Sequence, residues 1–302
     1  MRGAGSNNFG IVTQFTYHLE TAPTVAVNFN TVYNNNADCA NALLALQEIG
    51  LKQPQDGGFP AELGGELLLY RENSGDDGAC SFSGQYLGSK DDFKMAKKIL
   101  NDNLKNRGVV AKSAVANEFN GWVAALTDLM GDLNQPKTYE PYYAQSIMDD
   151  GTPGYTAQTA KAVVDAVQAA VGVEGSGNSI SFDLNGPASA TNAASPTGDM
   201  SFVHRHSLFF NQIYSYDFPG FDKPQAQKNA LAKLNGINSA VKNAKPQSND
   251  WKAYQNYIDP NLKGFGAAYY GSALNRLKSI KKSLDAKSGP TFFKRSLVSN
   301  SI

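Results

Sequence analysis

The 302-residue sequence has few of the residues that build metal or redox sites: two cysteines, Cys39 and Cys80, and three histidines. Two thiols without nearby histidines do not supply the ligands of a zinc site, so we predict no bound metal. The two cysteines fit either one disulfide bond in an oxidising compartment or two separate buried thiols. Both alternatives stay open at this point.

The sequence also lacks an excess of charge and a long apolar run. Lysine plus arginine and aspartate plus glutamate each number 27, which gives a formal net charge of zero. A neutral chain lacks the basic surface of a nucleic-acid-binding protein, so we predict no nucleic-acid partner. No stretch reaches the roughly 18 apolar residues that span a bilayer, and no signal peptide is present, so we predict no membrane association.

The sequence begins inside a glycine-rich turn, residues 1–5, with no strand before it. A flexible N-terminal tail would account for such a beginning, but natural domains rarely start in this way. We therefore expect an N-terminally truncated sequence.

Apolar periodicity predicts strands and helices in alternation. Strands are predicted at residues 9–17, 25–33, 66–70, 80–87, 179–184 and 202–216. Helices are predicted at residues 38–50, with Asp38 as the cap, and at 93–108, 156–172, 225–242 and 272–286. Residues 117–154 have no clear period and are predicted to form a loop with short helical turns.

The strand at residues 179–184 has two different faces. Apolar side chains at 180, 182 and 184 share one face, and Ser179, Ser181 and Asp183 share the other. Strands and helices that interleave without regular βαβ spacing favour an α+β domain with one antiparallel sheet. We expect the helices to lie on one face of that sheet.

Three segments together carry a resemblance to a known family. The first is residues 2–13, RGAGSNNFGIVT, a glycine-rich turn that leads into a predicted strand. The second comprises residues 179–186, SISFDLNG, with FVHR at 202–205 and FNQ at 210–212. The third comprises residues 254–259, YQNYID, with YYG at 269–271, RL at 276–277 and IK at 280–281. With these segments the chain resembles the berberine-bridge-enzyme-like FAD-linked oxidases, which are PCMH-type flavoproteins, and among them the glucooligosaccharide-oxidase-like branch.

The resemblance implies three parts in the chain. Residues 1–20 are the remnant of the FAD-binding domain, residues 21–245 form the substrate-binding α+β domain, and residues 246–302 form the C-terminal berberine-bridge segment that packs on the FAD-binding domain. The covalent flavin attachments of the family, a histidine and often a cysteine, lie upstream of this sequence. We therefore expect the 302-residue chain to bind FAD weakly or not at all.

The function implied by the resemblance is FAD-dependent oxidation of a sugar or another alcohol, with O2 as the electron acceptor. The resemblance further implies a secreted enzyme, and we expect a monomer. Two alternatives remain: a dehydrogenase of the same fold that uses another acceptor, and a catalytically inactive fragment without the flavin-attachment half.

The resemblance implies that Tyr257 takes the proton of the substrate hydroxyl and that Asp183 accepts it. A phenol with a pKa near 10 is a poor base, and a neighbouring carboxylate can assist only by accepting its proton. From position alone, Asp183 would be interpreted as a solvated residue before a turn, and Tyr257 as a half-buried aromatic with a structural partner. Gln212 and Tyr254 are the predicted substrate contacts, although Gln212 fits a buried, satisfied amide equally well.

The predicted FAD contacts are Gly5, Asn8, Phe9, Gly10, Ile11, Val12 and Asn256. The sequence departs from the family pattern at Ser179, Ser181 and Pro187, where an aromatic residue, an amide and a glycine are usual. These departures weaken the prediction of an oligosaccharide substrate. His204 and Arg205 match a family landmark but are predicted to have structural roles.

Overall fold

The computed structural model describes residues 3–4, 9, 12–71, 80–132, 134, 142–170, 177–193, 200–216, 223–245 and 251–284. The strands are β1 (Val25–Tyr33), β2 (Leu63–Arg71), β3 (Cys80–Tyr86), β4 (Ala111–Asn120), β5 (Tyr142–Asp149), β6 (Gly177–Leu184) and β7 (Phe209–Tyr216). The helices are α1 (Asn36–Gly50), α2 (Lys90–Asn106), α3 (Trp122–Met130), α4 (Ala157–Ala169), α5 (Ala190–Ala193), α6 (Pro224–Ala244), α7 (Phe265–Tyr270) and α8 (Leu274–Leu284).

These strands form one seven-stranded sheet in the order β4-β1-β3-β2-β6-β7-β5. Every pairing is antiparallel. The order places β2 beside β6, which follows it in the chain only after three other strands and three helices. The predicted α+β class with an antiparallel sheet is confirmed.

The main core lies between one face of the sheet and the four long helices α1, α2, α4 and α6. Strand β6 shows how the sequence builds this face, since Ile180 and Phe182 are fully buried in the core. Full burial of a side chain of this size contributes about 1.5–3 kcal/mol. Ser181 and Asp183, which alternate with these two residues along the strand, therefore lie on the opposite face, as predicted.

The two cysteines form a disulfide bond between α1 and β3, Cys39–Cys80. Both residues are fully buried within the main core. Of the two alternatives that the sequence left open, the disulfide is the one found.

The short helix α3 lies on the face of the sheet that the four long helices leave uncovered. Asn28 of β1 points away from the core and its Nδ2 donates hydrogen bonds to the Ala125 carbonyl and the Asp128 carboxylate, both at 2.8 Å. Gln85 of β3 in turn donates to Asn28 Oδ1 at 2.8 Å. The predicted one-sided arrangement therefore holds for the four long helices but not for α3.

The cap predicted for α1 is wrong, whereas α4 begins next to Thr156, where the sequence places the start of that helix. Thr156 caps α4 in a capping box with Thr159. Helix α1 is capped by Asn35, whose side chain accepts a hydrogen bond from the Asp38 amide. Asp38 lies within the first turn, where a carboxylate is also favourable to the helix dipole.

Three predicted segments are corrected by the structure. Residue 9 lies in a turn, residues 10–11 lie outside the described residues, and residues 12–17 form no strand, since none of the described strands pairs with them. Tyr17 is 73% exposed. The predicted loop at 117–154 contains the end of β4, α3 and β5. Strand β5 has no alternation because its last six residues are all buried. The long aromatic strand predicted from residue 202 begins only at Phe209.

Candidate active site

Polar side chains occupy the face of the sheet opposite the main core. The registers of β2, β6, β7 and β5 place Glu66, Asp183, Phe210 and Met148 in one transverse row. The next row contains Leu68, Ser181, Gln212 and Ser146. Directly opposed residues of antiparallel strands point to the same side, so these side chains form one continuous surface.

The C-terminal segment lies on this surface and brings Tyr257 to Asp183. The Tyr257 hydroxyl donates a hydrogen bond to Asp183 Oδ2 at 3.3 Å. Burial raises the pKa of Tyr257 well above its usual value, and the Asp183 carboxylate adds to the increase. Burial also raises the pKa of Asp183, while the neighbouring Ser181, Glu66 and Tyr257 side chains oppose that change. The two residues that the resemblance named as a pair are thus in contact.

The turn that carries the tyrosines is fixed to the edge strand β5. The Tyr257 amide donates to the Tyr254 carbonyl at 3.1 Å, which closes the turn. Ser146 Oγ accepts a hydrogen bond of 2.8 Å from the Tyr254 amide and lies 3.3 Å from the Tyr254 carbonyl oxygen. The Met148 amide donates to the Lys252 carbonyl at 2.8 Å, so the segment enters the site paired with β5.

Sequence reasoning missed Ser146 because it falls in the segment predicted as a loop. It also missed Glu66, which lies directly across from Asp183. The only signal for Glu66 was an acidic residue on the polar face of a predicted strand, and the pairing of β2 with β6 could not be inferred from their separation in the chain.

Aromatic rings surround the Asp183–Tyr257 contact. Tyr254 meets Tyr257 edge to face, with ring centroids 5.1 Å apart, and Phe210 lies 5.5 Å from Tyr254. Phe202 completes the cluster, 6.0 Å from both Phe210 and Tyr254. Rings that partly exclude water strengthen the polar contacts beside them.

Gln212 lies beside this cluster, in the row between Ser181 and Ser146. Its side chain is half-buried, and no hydrogen bond joins its amide to any of the residues that the structure describes. Gln212 stays a predicted substrate contact.

The described residues of the N-terminal turn pack against the C-terminal segment. Gln255 donates to the Gly3 carbonyl at 2.6 Å, and the Tyr270 hydroxyl donates to the Ala4 carbonyl at 3.4 Å. Ala4 and Phe9 belong to a second, smaller core with Ala253, Ala268, Tyr269, Tyr270 and Leu277. Residues 3, 4 and 9 therefore lie against the C-terminal segment that carries Tyr254 and Tyr257.

The predicted FAD contacts are only partly within the described residues. Gly5, Asn8, Gly10 and Ile11 lie outside them. Phe9 and Val12 are half-buried, and Asn256 is exposed. Asn256 Nδ2 donates to the Tyr254 hydroxyl at 2.8 Å, which orients that phenol.

His204 and Arg205 have the structural partners that were predicted. His204 Nε2 lies 3.0 Å from the Tyr269 carbonyl oxygen. Arg205 donates to the Thr191 carbonyl at 2.7 Å and stacks 5.0 Å from the Phe202 ring centroid. Both residues therefore support the walls of the site.

Within the described ranges, no group of histidine, cysteine, aspartate or glutamate side chains could hold a metal ion. The same part of the chain contains no helix that is both long and apolar enough to span a membrane.

Comparison with known proteins identifies the segment that carries the tyrosines. The family described as "Berberine and berberine like" matches residues 253–293. A comparison with curated protein sequences gives no match.

Solved structures share the fold over nearly the whole chain. Glucooligosaccharide oxidase from Acremonium strictum matches with a TM-score of 0.71 and 20% identity, over 90% of this chain and 57% of that one. BBE-like 1 from Physcomitrella patens matches with a TM-score of 0.73 and 26% identity, over 96% and 58%. Xylooligosaccharide oxidase from Myceliophthora thermophila, in complex with xylobiose, matches with a TM-score of 0.69 and 21% identity, over 90% and 55%.

The chain spans little more than half the length of these related structures. The resemblance predicted from the sequence is confirmed: the C-terminal segment matches the berberine and berberine-like family, and the chain has the fold seen in glucooligosaccharide oxidase and BBE-like 1.

Proposed function

We propose that the protein takes part in the FAD-dependent oxidation of a sugar or another alcohol, with O2 as the electron acceptor. The observation that carries this proposal is the hydrogen bond between Tyr257 and Asp183, on a half-buried polar surface walled by aromatic rings. Such a surface suits the apolar faces and the hydroxyl groups of a sugar ring.

Oxidation of an alcohol requires a group that removes the hydroxyl proton while the hydride leaves. Tyr257 is suited to this role because its own proton already points at the Asp183 carboxylate. A phenol with a raised pKa does not ionise in advance, so its proton moves to Asp183 as the substrate proton arrives. Asp183 is then the terminal acceptor of a two-step relay.

The residues beside the relay fit a flavin. Gln255 holds Gly3 of the N-terminal turn against the C-terminal segment, and Asn256, one of the predicted flavin contacts, lies in the turn that carries Tyr254 and Tyr257. Phe9, Val12 and Asn256 would hold the group together with Gly5, Asn8, Gly10 and Ile11. FAD, when bound, accepts the hydride of the alcohol carbon and delivers two electrons to O2.

The substrate is assigned by class. The related structures include enzymes that act on gluco-, chito- and xylooligosaccharides. Gln212 and Tyr254 are the side chains that we assign to substrate contact. Gln212 offers both a donor and an acceptor to a sugar hydroxyl, and Tyr254 presents a ring face at the surface.

The disulfide supports a secreted protein, because buried disulfides persist in oxidising compartments. The protein would then meet its sugar substrates outside the cell.

The test is a peroxide-coupled assay against monosaccharides, oligosaccharides and simple alcohols, made after the content of bound FAD in the protein has been measured. A chain that takes up no FAD would assign the inactive fragment, the second alternative. The proposal predicts hydrogen peroxide in a one-to-one ratio with lactone or aldehyde. Substrate oxidation that needs an artificial acceptor and releases no peroxide would instead assign a dehydrogenase. No oxidation of any alcohol would refute the proposal.

A further inference from the structure

Glu66 lies directly opposite Asp183 in the sheet, although the proposed relay does not use it. The register of β2 and β6 pairs these two residues, and Leu67 pairs with the fully buried Phe182 at the next position. Burial of Leu67 and Phe182 fixes this register, because a slip of either strand by one residue would turn its buried side chain to the polar face. The two carboxyl groups are therefore held together by the core beneath them.

The surroundings of the pair leave its charge uncompensated. Neither carboxyl forms an ion pair with a lysine or an arginine in the part of the chain that the structure describes. Among the described residues, Tyr257 is the titratable group of the C-terminal turn that contacts the pair, and Tyr254 packs edge to face against Tyr257. The neighbouring strands β3 and β7 contribute Ser83 and Phe210, which carry no charge.

Asp183 also has a buried oxygen that its phenol partner does not reach. Tyr257 donates to Oδ2, whereas Oδ1 is buried and accepts no hydrogen bond from an amide or a hydroxyl group of the residues that the structure describes. A buried acceptor without a donor costs about 1–3 kcal/mol. A protonated carboxyl group placed across from it supplies the missing donor.

We propose that Glu66 and Asp183 share one proton, and that protonated Glu66 donates a hydrogen bond to the Asp183 carboxylate. Two carboxylates in contact cannot both ionise at low cost, so one of them keeps its proton into the neutral range. Burial and the charge of Asp183 together raise the pKa of Glu66 to about 7, which agrees with this geometry.

The inference rests on the proposed function for its role in turnover. Glu66 is a positioning residue, because it acts on the substrate only through Asp183. Its proton keeps Asp183 ionised and aligned, so that the carboxylate can accept the proton of Tyr257. When the relay runs, Asp183 becomes protonated, and the pair carries two protons until one leaves to water.

The proton sharing is testable without flavin or turnover. Carboxyl carbons of the 302-residue chain, labelled in aspartate and glutamate, are followed by NMR from pH 3 to pH 9. The expected result is one transition near pH 7 that is absent from Glu66→Gln and moves to lower pH in Asp183→Asn. Glu62→Gln, a substitution of an exposed residue on the approach to the same strand, should leave the transition in place.

The inference would be overturned if Glu66 and Asp183 both finish titrating below pH 5 in the wild-type chain. This outcome is decisive whether or not the variants fold. In the flavin-loaded enzyme, Glu66→Gln keeps a donor to Asp183 and should retain turnover while losing the inflection near pH 7. Glu66→Leu removes the donor and should lower kcat at least tenfold with KM little changed. A rise in KM with kcat unchanged would assign Glu66 to substrate binding instead, against the inference.

Discussion

Ser146 of β5 accepts a hydrogen bond of 2.8 Å from the backbone amide of Tyr254, and this contact ties the tyrosine turn to the sheet that carries Asp183. The site is thereby built from two distant parts of the chain. The sheet supplies carboxyl groups and an amide, and the C-terminal segment supplies phenols. Their relative position depends on a few polar contacts at the edge of the sheet.

Replacing Ser146 with alanine should loosen the turn more than it harms the fold. Loss of the hydroxyl leaves a partly buried amide without its acceptor, which costs about 1–3 kcal/mol. We expect kcat of the flavin-loaded enzyme to fall at least tenfold, because Tyr257 is then free to move away from Asp183. Ser215→Ala serves as the control, since Ser215 is a buried serine on the neighbouring strand that points to the other face. Equal loss of kcat in the two variants would contradict the role given to Ser146.

The disulfide should stabilise the fold strongly, since Cys39 and Cys80 are separated by 41 residues in the sequence. Closing a loop of that length in the unfolded chain contributes about 4 kcal/mol. Replacing both cysteines with serine should lower the free energy of unfolding in urea by roughly this amount. A decrease below about 1 kcal/mol would show that the bond adds little to a core that is already packed.

The shared proton of Glu66 predicts a pH-dependent stability with a definite sign. The pKa of Glu66 is raised from 4.5 to about 7, so the folded state holds a proton that the unfolded state has lost between these values. Stability from this group therefore falls as the pH rises from about 4.5 to 7, by about 2–3 kcal/mol in total. Glutamine at this position carries no such cost.

The measurement is the difference in unfolding free energy between Glu66→Gln and the wild type. It should be close to zero at pH 4.5 and should favour the variant by about 2–3 kcal/mol at pH 8. A difference that is the same at both pH values would mean that Glu66 has an ordinary pKa.

Much of the fold could be predicted from the sequence where one face of an element is buried and the other is exposed to solvent. Helix α2 has helical spacing of its four buried residues, and α4 begins after Thr156, so local pattern and structure agree. Strand β6 alternates in residue type, although Ser179 and Ser181 on its polar face are buried as well. Strand β5 could not be predicted, because burial on both faces removes the alternation. Residues 12–17 alternate in the sequence, but none of the described strands pairs with them. An alternating pattern alone is therefore not enough to form a β-strand.

The candidate site, unlike much of the fold, could not be predicted from local sequence patterns. The contact between Asp183 and Tyr257 was expected only from the resemblance, because nothing in the spacing of two residues 74 positions apart brings them together. Glu66 and Ser146 were missed because their roles depend on strand register and on turn packing. Both are properties of the folded sheet, and neither leaves a local signal in the sequence.

The central claim is that Asp183 and Tyr257 act as one proton relay. The most direct test is the rate of flavin reduction, measured anaerobically by stopped flow in the flavin-loaded wild type, Asp183→Asn, Tyr257→Phe and the double variant. Each single substitution should lower the rate by about 10²–10⁴, and the double variant should be no slower than the slower single one. Near-normal rates in both single variants, or losses that multiply in the double variant, would contradict the account.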